Sequence, residues 1–207
     1  HAVDCVVLSG GLLDSCLPGL RGPSFLTGQF RRLARHGIDI YWSGASLETR
    51  GRWPAALELP TNVHRLRPDA TGILHGRNGQ PVARLLTLPT ETEQLPCASE
   101  AFTIAVQPHC CGVPDLLAGL VDFWALGGQA HCETLQVGEV IAHFPGSPQG
   151  RGPHEVGRHS CSMVKVDEWG TVCIEPRFTD VVRWHQLRLT IDEAATWPNL
   201  ELQLAEQ

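Results

Sequence analysis

Four short loops hold the residues that could do chemistry: Ser9-Gly10-Gly11-Leu12-Leu13-Asp14, Ser43-Gly44-Ala45-Ser46, Pro108-His109-Cys110 and Gly127-Gly128-Gln129-Ala130-His131. Asp14, His109 and His131 are side chains in them that could ligate a metal or move a proton. Taken alone, Asp14 reads more simply as a loop or helix-cap residue than as a lone ligand. His109, Cys110, Cys111, His131 and Cys132 could offer nitrogen and sulfur to zinc if the fold brought them together. Their spacing matches no standard zinc pattern, and adjacent cysteines rarely both ligate one ion. Packed thiols and hydrogen-bonded imidazoles are the simpler expectation.

The elements that must position these loops follow from the hydrophobic pattern. Val3 to Ser9 is an apolar run, interrupted by Asp4, that ends in Gly10-Gly11, as in a buried parallel strand. Pro23 to His36 carries Phe25, Leu26, Phe30, Leu33 and Ala34 at helical spacing, with Gly37 as a stop. Ile38 to Ser43 is a second short strand. Strand, helix, strand is the βαβ pattern, in which functional groups collect at the strand carboxyl ends. Gly72 to His75 and Pro81 to Leu88 flank Asn78-Gly79, a hairpin signal. Glu91 to Glu100 reads as a polar surface loop, Ala101 to Gln107 as a strand, Pro114 to Leu120 as a short helix and Val121 to Leu126 as another strand. Further strands are expected at Val140 to Phe144 and at Cys161 to Val166 paired with Thr171 to Glu175. A long final strand is expected over Asp180 to Ile191. No element is assigned to the Leu residues of Glu193 to Gln207.

Composition bounds the class. A chain of 207 residues with 43% hydrophobic and 18% charged residues is long enough for one globular domain. It holds no apolar run of the roughly 18 residues a membrane span needs. A net charge of −6 argues against a surface that grips nucleic acid everywhere, though a local basic patch could still do so. Arg31, Arg32, Arg35 and His36 form one such cluster and Arg65 with Arg67 another; a solvated face is the plainer reading of each. The eight cysteines, in a chain this long with no secretion signal, read as reduced thiols of a cytoplasmic protein. The sequence starts at His1 rather than Met and enters an apolar run almost at once, like the middle of a larger sequence.

The order and spacing of the four loops resemble the calcineurin-like metallophosphoesterases, most closely the SbcD-type exonuclease subunits. Supporting matches are Pro60-Thr61-Asn62-Val63-His64, Trp124-Ala125-Leu126-Gly127 and Phe144-Pro145-Gly146-Ser147-Pro148-Gln149-Gly150-Arg151, the last the most specific. Glu155-Val156-Gly157, Val164-Lys165-Val166-Asp167 and Thr179-Asp180-Val181-Val182-Arg183-Trp184 continue the match, to about Ile191. The resemblance implies an α/β fold, a four-layer α/β/β/α sandwich whose first strand is missing upstream of Val3. It also implies a domain over residues 1–191, with 192–207 as a tail or the start of a capping region.

In that family two divalent metals about 3.5–4 Å apart activate water and clamp a phosphate, through carboxylate, imidazole and amide ligands that suit manganese. This sequence departs at most of those positions. Gly11 stands at the bridging Asp, whereas Asp14 matches the second Asp of that motif; Ala45 stands at the Asn ligand and Ser46 at the catalytic His. Glu48 lies one place off the acidic position, and His109 matches the lone His. At the last motif two alignments compete. Ungapped, Gly128 and Ala130 replace both histidines and Glu133 keeps its register; with one inserted residue, Gln129 replaces the first and His131 is retained. The ungapped alignment fits both flanks better. His109 and Asp14, together with His131 under the gapped alignment, are vestigial ligands, and without the bridging carboxylate two like-charged ions would repel nearly uncompensated.

The resemblance therefore implies a scaffold that has lost phosphodiesterase activity, with DNA and an SbcC-type ATPase as partners, no membrane, a possible homodimer and no resident cofactor. Two other readings stand beside it. One is an active exonuclease using Mn2+ or a similar pair held by unusual ligands; the other is a regulatory or structural module with no nucleic-acid role.

Overall fold

The computed structural model describes residues 3–13, 19–43, 53–67, 71–76, 78–87, 101–108, 120–188, 191 and 197–205. Three parallel strands, β1 (Cys5–Leu8), β2 (Asp39–Trp42) and β3 (Val63–Arg65), form one sheet in the order β1-β2-β3. Helix α1 (Arg21–Ala34) crosses between β1 and β2 and packs Leu26, Phe30 and Leu33 against Val6, Leu8, Ile40 and Trp42. The sequence makes this helix through its apolar stripe and ends it at Gly37, whose φ of +65° suits a residue without a Cβ. Asn62 locks the seam, donating from Nδ2 to the Phe30 carbonyl at 3.2 Å and the Ile38 carbonyl at 2.8 Å. Arg31 and Arg32 occupy the last turn, where cations suit the helix dipole, and both are exposed, as are Arg65 and Arg67.

A second sheet runs β4-β5-β6-β7-β9-β8. Its strands are β4 (Thr71–His75), β5 (Pro81–Leu86), β6 (Thr103–Gln107), β7 (Phe123–Leu126), β8 (Glu133–Val137) and β9 (Val140–Phe144). β5, β6, β7 and β9 are parallel, with antiparallel β4 and β8 on the edges. Tyr41 and Leu66 pack with Leu74, Ala83, Leu85 and Val106, so the two sheets share a core. The alternate residues Leu86, Ala105, Trp124, Leu126 and Ala142 form a further cluster on the opposite face. A separate antiparallel pair, β10 (Ser160–Val166) with β11 (Val172–Phe178), follows, and helix α2 (Trp197–Ala205) comes last.

The four-layer α/β/β/α expectation is overturned. The described residues build a strand-dominated structure of eleven strands in three sheets, with only two helices. The physical reason lies in the connections. Gly79, Gly138 and Gly170, all at positive φ, turn the chain within a few residues and give antiparallel neighbours where a helical layer would need βα crossovers. The expected helix at Pro114 to Leu120 and the loop at Glu91 to Glu100 lie outside the described residues, except that Leu120 itself is a turn. The long final strand at Asp180 to Ile191 is also corrected: that segment makes one isolated bridge, Val156 to Trp184, and Val181 is 91% exposed. Its backbone is held by side chains instead of a ladder. Two strands escaped the sequence reading: β3, only three residues long, and β8, whose polar Glu133-Thr134-Leu135-Gln136 carries no strong apolar run.

Candidate functional site

Parallel strands place their carboxyl ends on one edge, and the two sheets meet there. Ser9, just after β1, donates its hydroxyl to the Leu126 carbonyl at 3.0 Å, although the two residues are 117 positions apart. Gly127 donates its N–H to Gln107 at 2.8 Å, and Ser43 donates its N–H to Leu8 at 2.9 Å. A Cβ on Gly127 would fall 1.9 Å from the Ser9 carbonyl oxygen and 3.0 Å from that of Pro108. One on Gly10, at φ +104°, would fall 2.9 Å from the Pro108 Cβ. Both glycines are therefore required by close backbone approach, and β1, β6 and β7 are joined main chain to main chain.

Gly11 (φ +68°) and Gly128 (φ +97°) follow directly, so the fold brings the loops after β1 and β7 to a common edge. The loop after β7 is organised by its own side chains: Gln129 Nε2 donates to Glu133 Oε2 at 2.9 Å and to the His131 carbonyl at 3.1 Å. His131 and Cys132 are exposed. Gln107, at the end of β6, has a buried Oε1 without a hydrogen-bond partner among the described residues. Asp14, Ala45, Ser46 and His109, with Glu48, Cys110 and Cys111, lie outside the described residues. Gly11, Gly128 and Ala130 have no side-chain donor to offer a metal, and no three His, Cys, Asp or Glu side chains among the described residues are grouped to hold one. The described part of this edge does not fit the two-metal centre that the resemblance implies.

Beside this edge lies a denser polar network that sequence reasoning did not single out. Gly146, at φ +73°, brings the 145–151 segment against the loop after β7; a Cβ there would stand 2.7 Å from the Ala130 carbonyl oxygen. Ser147 donates its N–H to that same carbonyl at 3.0 Å, and its Oγ lies 2.8 Å from Nδ1 of buried His159. His159 Nε2 lies 3.2 Å from the Glu155 carbonyl. The Glu155 carboxylate, nearly buried, accepts from the Arg151 backbone N–H at 2.8 Å and from its guanidinium at 2.7 and 3.0 Å. Those side-chain and backbone hydrogen bonds from Arg151 hold its pKa at about 2, below the usual 4.5, against the opposing pull of burial. Gln149 acts as a strap: Nε2 donates to the Val182 carbonyl at 2.6 Å while Oε1 accepts from the N–H groups of Val181 and Val182. Trp184 and Thr179 add bonds to the Gly150 and Pro148 carbonyls. The signals for this network were present: Arg151 and Glu155 sit four apart, and the 145–151 segment was the most specific match.

Two further groups, buried His143 and half-buried Cys5, are structural by their surroundings. His143, on β9, is 3% exposed and lies 2.8 Å from Thr134 Oγ1 through Nδ1 and 2.6 Å from Ser162 Oγ through Nε2, linking β8, β9 and β10. Burial lowers its pKa, and the Glu133 backbone opposes that shift. Burial, with Asp4 and Asp39 nearby, pushes the Cys5 thiol to about 12, which makes it a packing residue and not a nucleophile.

No family model matches the chain. A curated relative from Bacillus subtilis (strain 168), described as the uncharacterized metallophosphoesterase YhaO, is 25% identical over 214 residues, which takes in 93% of this chain. The chain spans about half of that relative's length, 52%. Among the described residues no helix is long and apolar enough to cross a membrane. The chain is thus similar to a metallophosphoesterase over nearly its whole length.

Proposed function

We propose that this chain is an SbcD-like phosphoesterase-type domain that has given up two-metal hydrolysis and serves as a scaffold for DNA or for a partner ATPase. The observation that carries the reading is the contrast at the strand carboxyl ends. Ser9, Gly10, Pro108 and Gly127 keep the two sheets in backbone contact, while Gly11, Gly128 and Ala130 supply no ligand atom. Catalysis of this kind needs anionic and imidazole ligands to offset the repulsion between two cations; binding a phosphodiester needs only donors and a shaped surface. Residues 1–191 would form this domain, with α2 belonging to the tail beyond it.

Fluorescence anisotropy with a labelled linear duplex, read from 50 to 300 mM salt with and without Mn2+, tests the DNA arm. The expected result is binding that weakens steeply with salt while the probe stays intact. Salt-independent or absent binding would remove DNA from the proposal and leave a protein partner.

A further inference from the structure

A single side chain, His143, ties the edge of the six-stranded sheet to the β10–β11 hairpin. It lies on β9, 3% exposed, with the Thr134 hydroxyl of edge strand β8 at 2.8 Å from Nδ1 and the Ser162 hydroxyl of β10 at 2.6 Å from Nε2. A neutral imidazole carries one N–H and one lone pair, so one of these hydroxyls accepts from the ring and the other donates to it. The two sides of the tie are held unequally. β9 is laddered to β7 on one side and to β8 on the other, whereas β10 and β11 form a separate two-stranded sheet. The packing of the hairpin is thin as well: Val164, Val166 and Phe178, on the face that carries Ser162, are 36%, 41% and 50% exposed.

The strand register gives what the ring faces. Across the sheet its neighbours are Ala125 and Thr134, and the hairpin face that carries Ser162 also presents Ser160, Val164 and Ile174; none of these side chains can take a charge. Glu133 on β8 and Lys165, Glu175 and Arg177 on the hairpin stand at alternate positions, on the opposite faces, and Glu175 pairs with both Lys165 and Arg177. A proton gained by His143 turns its lone pair into a second N–H, so the hydroxyl that donated to it must turn away. It also leaves a buried charge with no carboxylate at a described facing position. We propose that His143 is a proton-operated latch: neutral, it fastens the β10–β11 hairpin to the β8–β9 edge, and protonated, it lets the hairpin loosen while the six-stranded sheet stays folded. Burial keeps the neutral form resident by holding the His143 pKa below the ordinary 6.5, with the Glu133 backbone opposing. Since the folded value lies below the unfolded one, the latch is complete above about pH 6.5 and weakens as pH falls below it. This holds whether or not the strand-end junction binds DNA.

Amide hydrogen exchange of the full chain at about pH 7.5 and about pH 5, read as protection factors with the intrinsic rates divided out, tests the latch. That interval stays above the one in which Glu155 titrates. Protection in β10 and β11 should fall by about tenfold or more at the lower pH, while β7 and β9 change by less than about threefold. His143→Gln, which keeps a donor and an acceptor but takes no proton in this range, should show no such fall in the hairpin. Ser162→Ala, which cuts one arm of the tie, should lower hairpin protection already at about pH 7.5 and shrink the fall. Nuclear magnetic resonance titration of the wild-type His143 ring, which needs no variant, should give a midpoint below about 6.5. Unchanged hairpin protection in the wild type, an equal fall in β7 and β9, the same fall in His143→Gln, or a ring midpoint at or above about 6.5 would overturn the proposal.

Discussion

The strand-end junction and the 145–159 segment touch through Ala130 and Ser147, yet they are held by different chemistry. At the junction the described contacts are largely main chain on main chain, enforced by Gly10 and Gly127. In the neighbouring segment the contacts are made through side chains: Gln149 on the Val181 and Val182 backbone, Glu155 on the Arg151 backbone and guanidinium, Ser147 Oγ against His159 Nδ1. The difference teaches that geometry and reactivity are separable. Backbone packing can set how two sheets meet whatever side chains the loops beyond them carry, because the glycines answer to sterics and not to chemistry.

The sharpest way to break the comparison is Gly127→Ala. The added methyl has no room against the Ser9 carbonyl, so the sheets must separate or the loop must shift, at a cost of about 3 kcal/mol in denaturant unfolding. Wild-type stability in that variant would show that the junction yields easily. Glu155→Gln comes next, with a loss of about 2 kcal/mol, because a nearly buried charge that accepts three bonds from Arg151 is replaced by a poorer acceptor. Its pH dependence adds a signature. The folded pKa of Glu155 lies below its unfolded value, so its contribution is complete above about pH 4.5 and is lost as pH falls towards about 2. The gap between wild type and Glu155→Gln should close over that interval in urea melts; a gap unchanged at pH 3 would contradict the assignment.

Gln149→Ala should cost about 1–1.5 kcal/mol and, more tellingly, raise amide hydrogen exchange at Val181 and Val182, which lose their acceptor. Exchange there as slow as in the wild type would mean the strap does not hold the segment. The smallest effect is expected for Val181→Ser, within about 0.5 kcal/mol, since Val181 is almost fully exposed. A large loss in that variant would show that the 180s segment is covered in solution.

The sequence announced some of this molecule clearly. β1, α1 and β2 follow from an apolar run, a helical stripe and a second run, and Asn78-Gly79 marks the β4–β5 hairpin because Gly79 takes a positive φ at little cost there. The final strand misled because alternation over Asp180 to Ile191 records side-chain chemistry, whereas a ladder needs a partner edge, and Gln149 had already taken the Val181 and Val182 backbone groups. The layered sandwich failed for a related reason: tight turns at Gly138 and Gly170 set neighbours that a resemblance in motifs does not report. At the candidate site, Gly10 and Gly127 could be read only as small residues in loops; that each faces a carbonyl or proline from a distant strand is a long-range fact. The contact of Ser147 Oγ with His159, and the hydrogen bond from the His159 N–H to Asp180 Oδ1, depend likewise on segments 12 to 21 residues apart.

The central claim, a retained junction without a competent metal set, is tested most directly by Mn2+-dependent hydrolysis. The substrates are bis(p-nitrophenyl) phosphate and linear DNA, assayed with an EDTA control and with His109→Ala alongside. The account predicts turnover no greater than the EDTA control for both substrates. Activity that EDTA and His109→Ala both abolish would contradict it and show that other ligands complete the site.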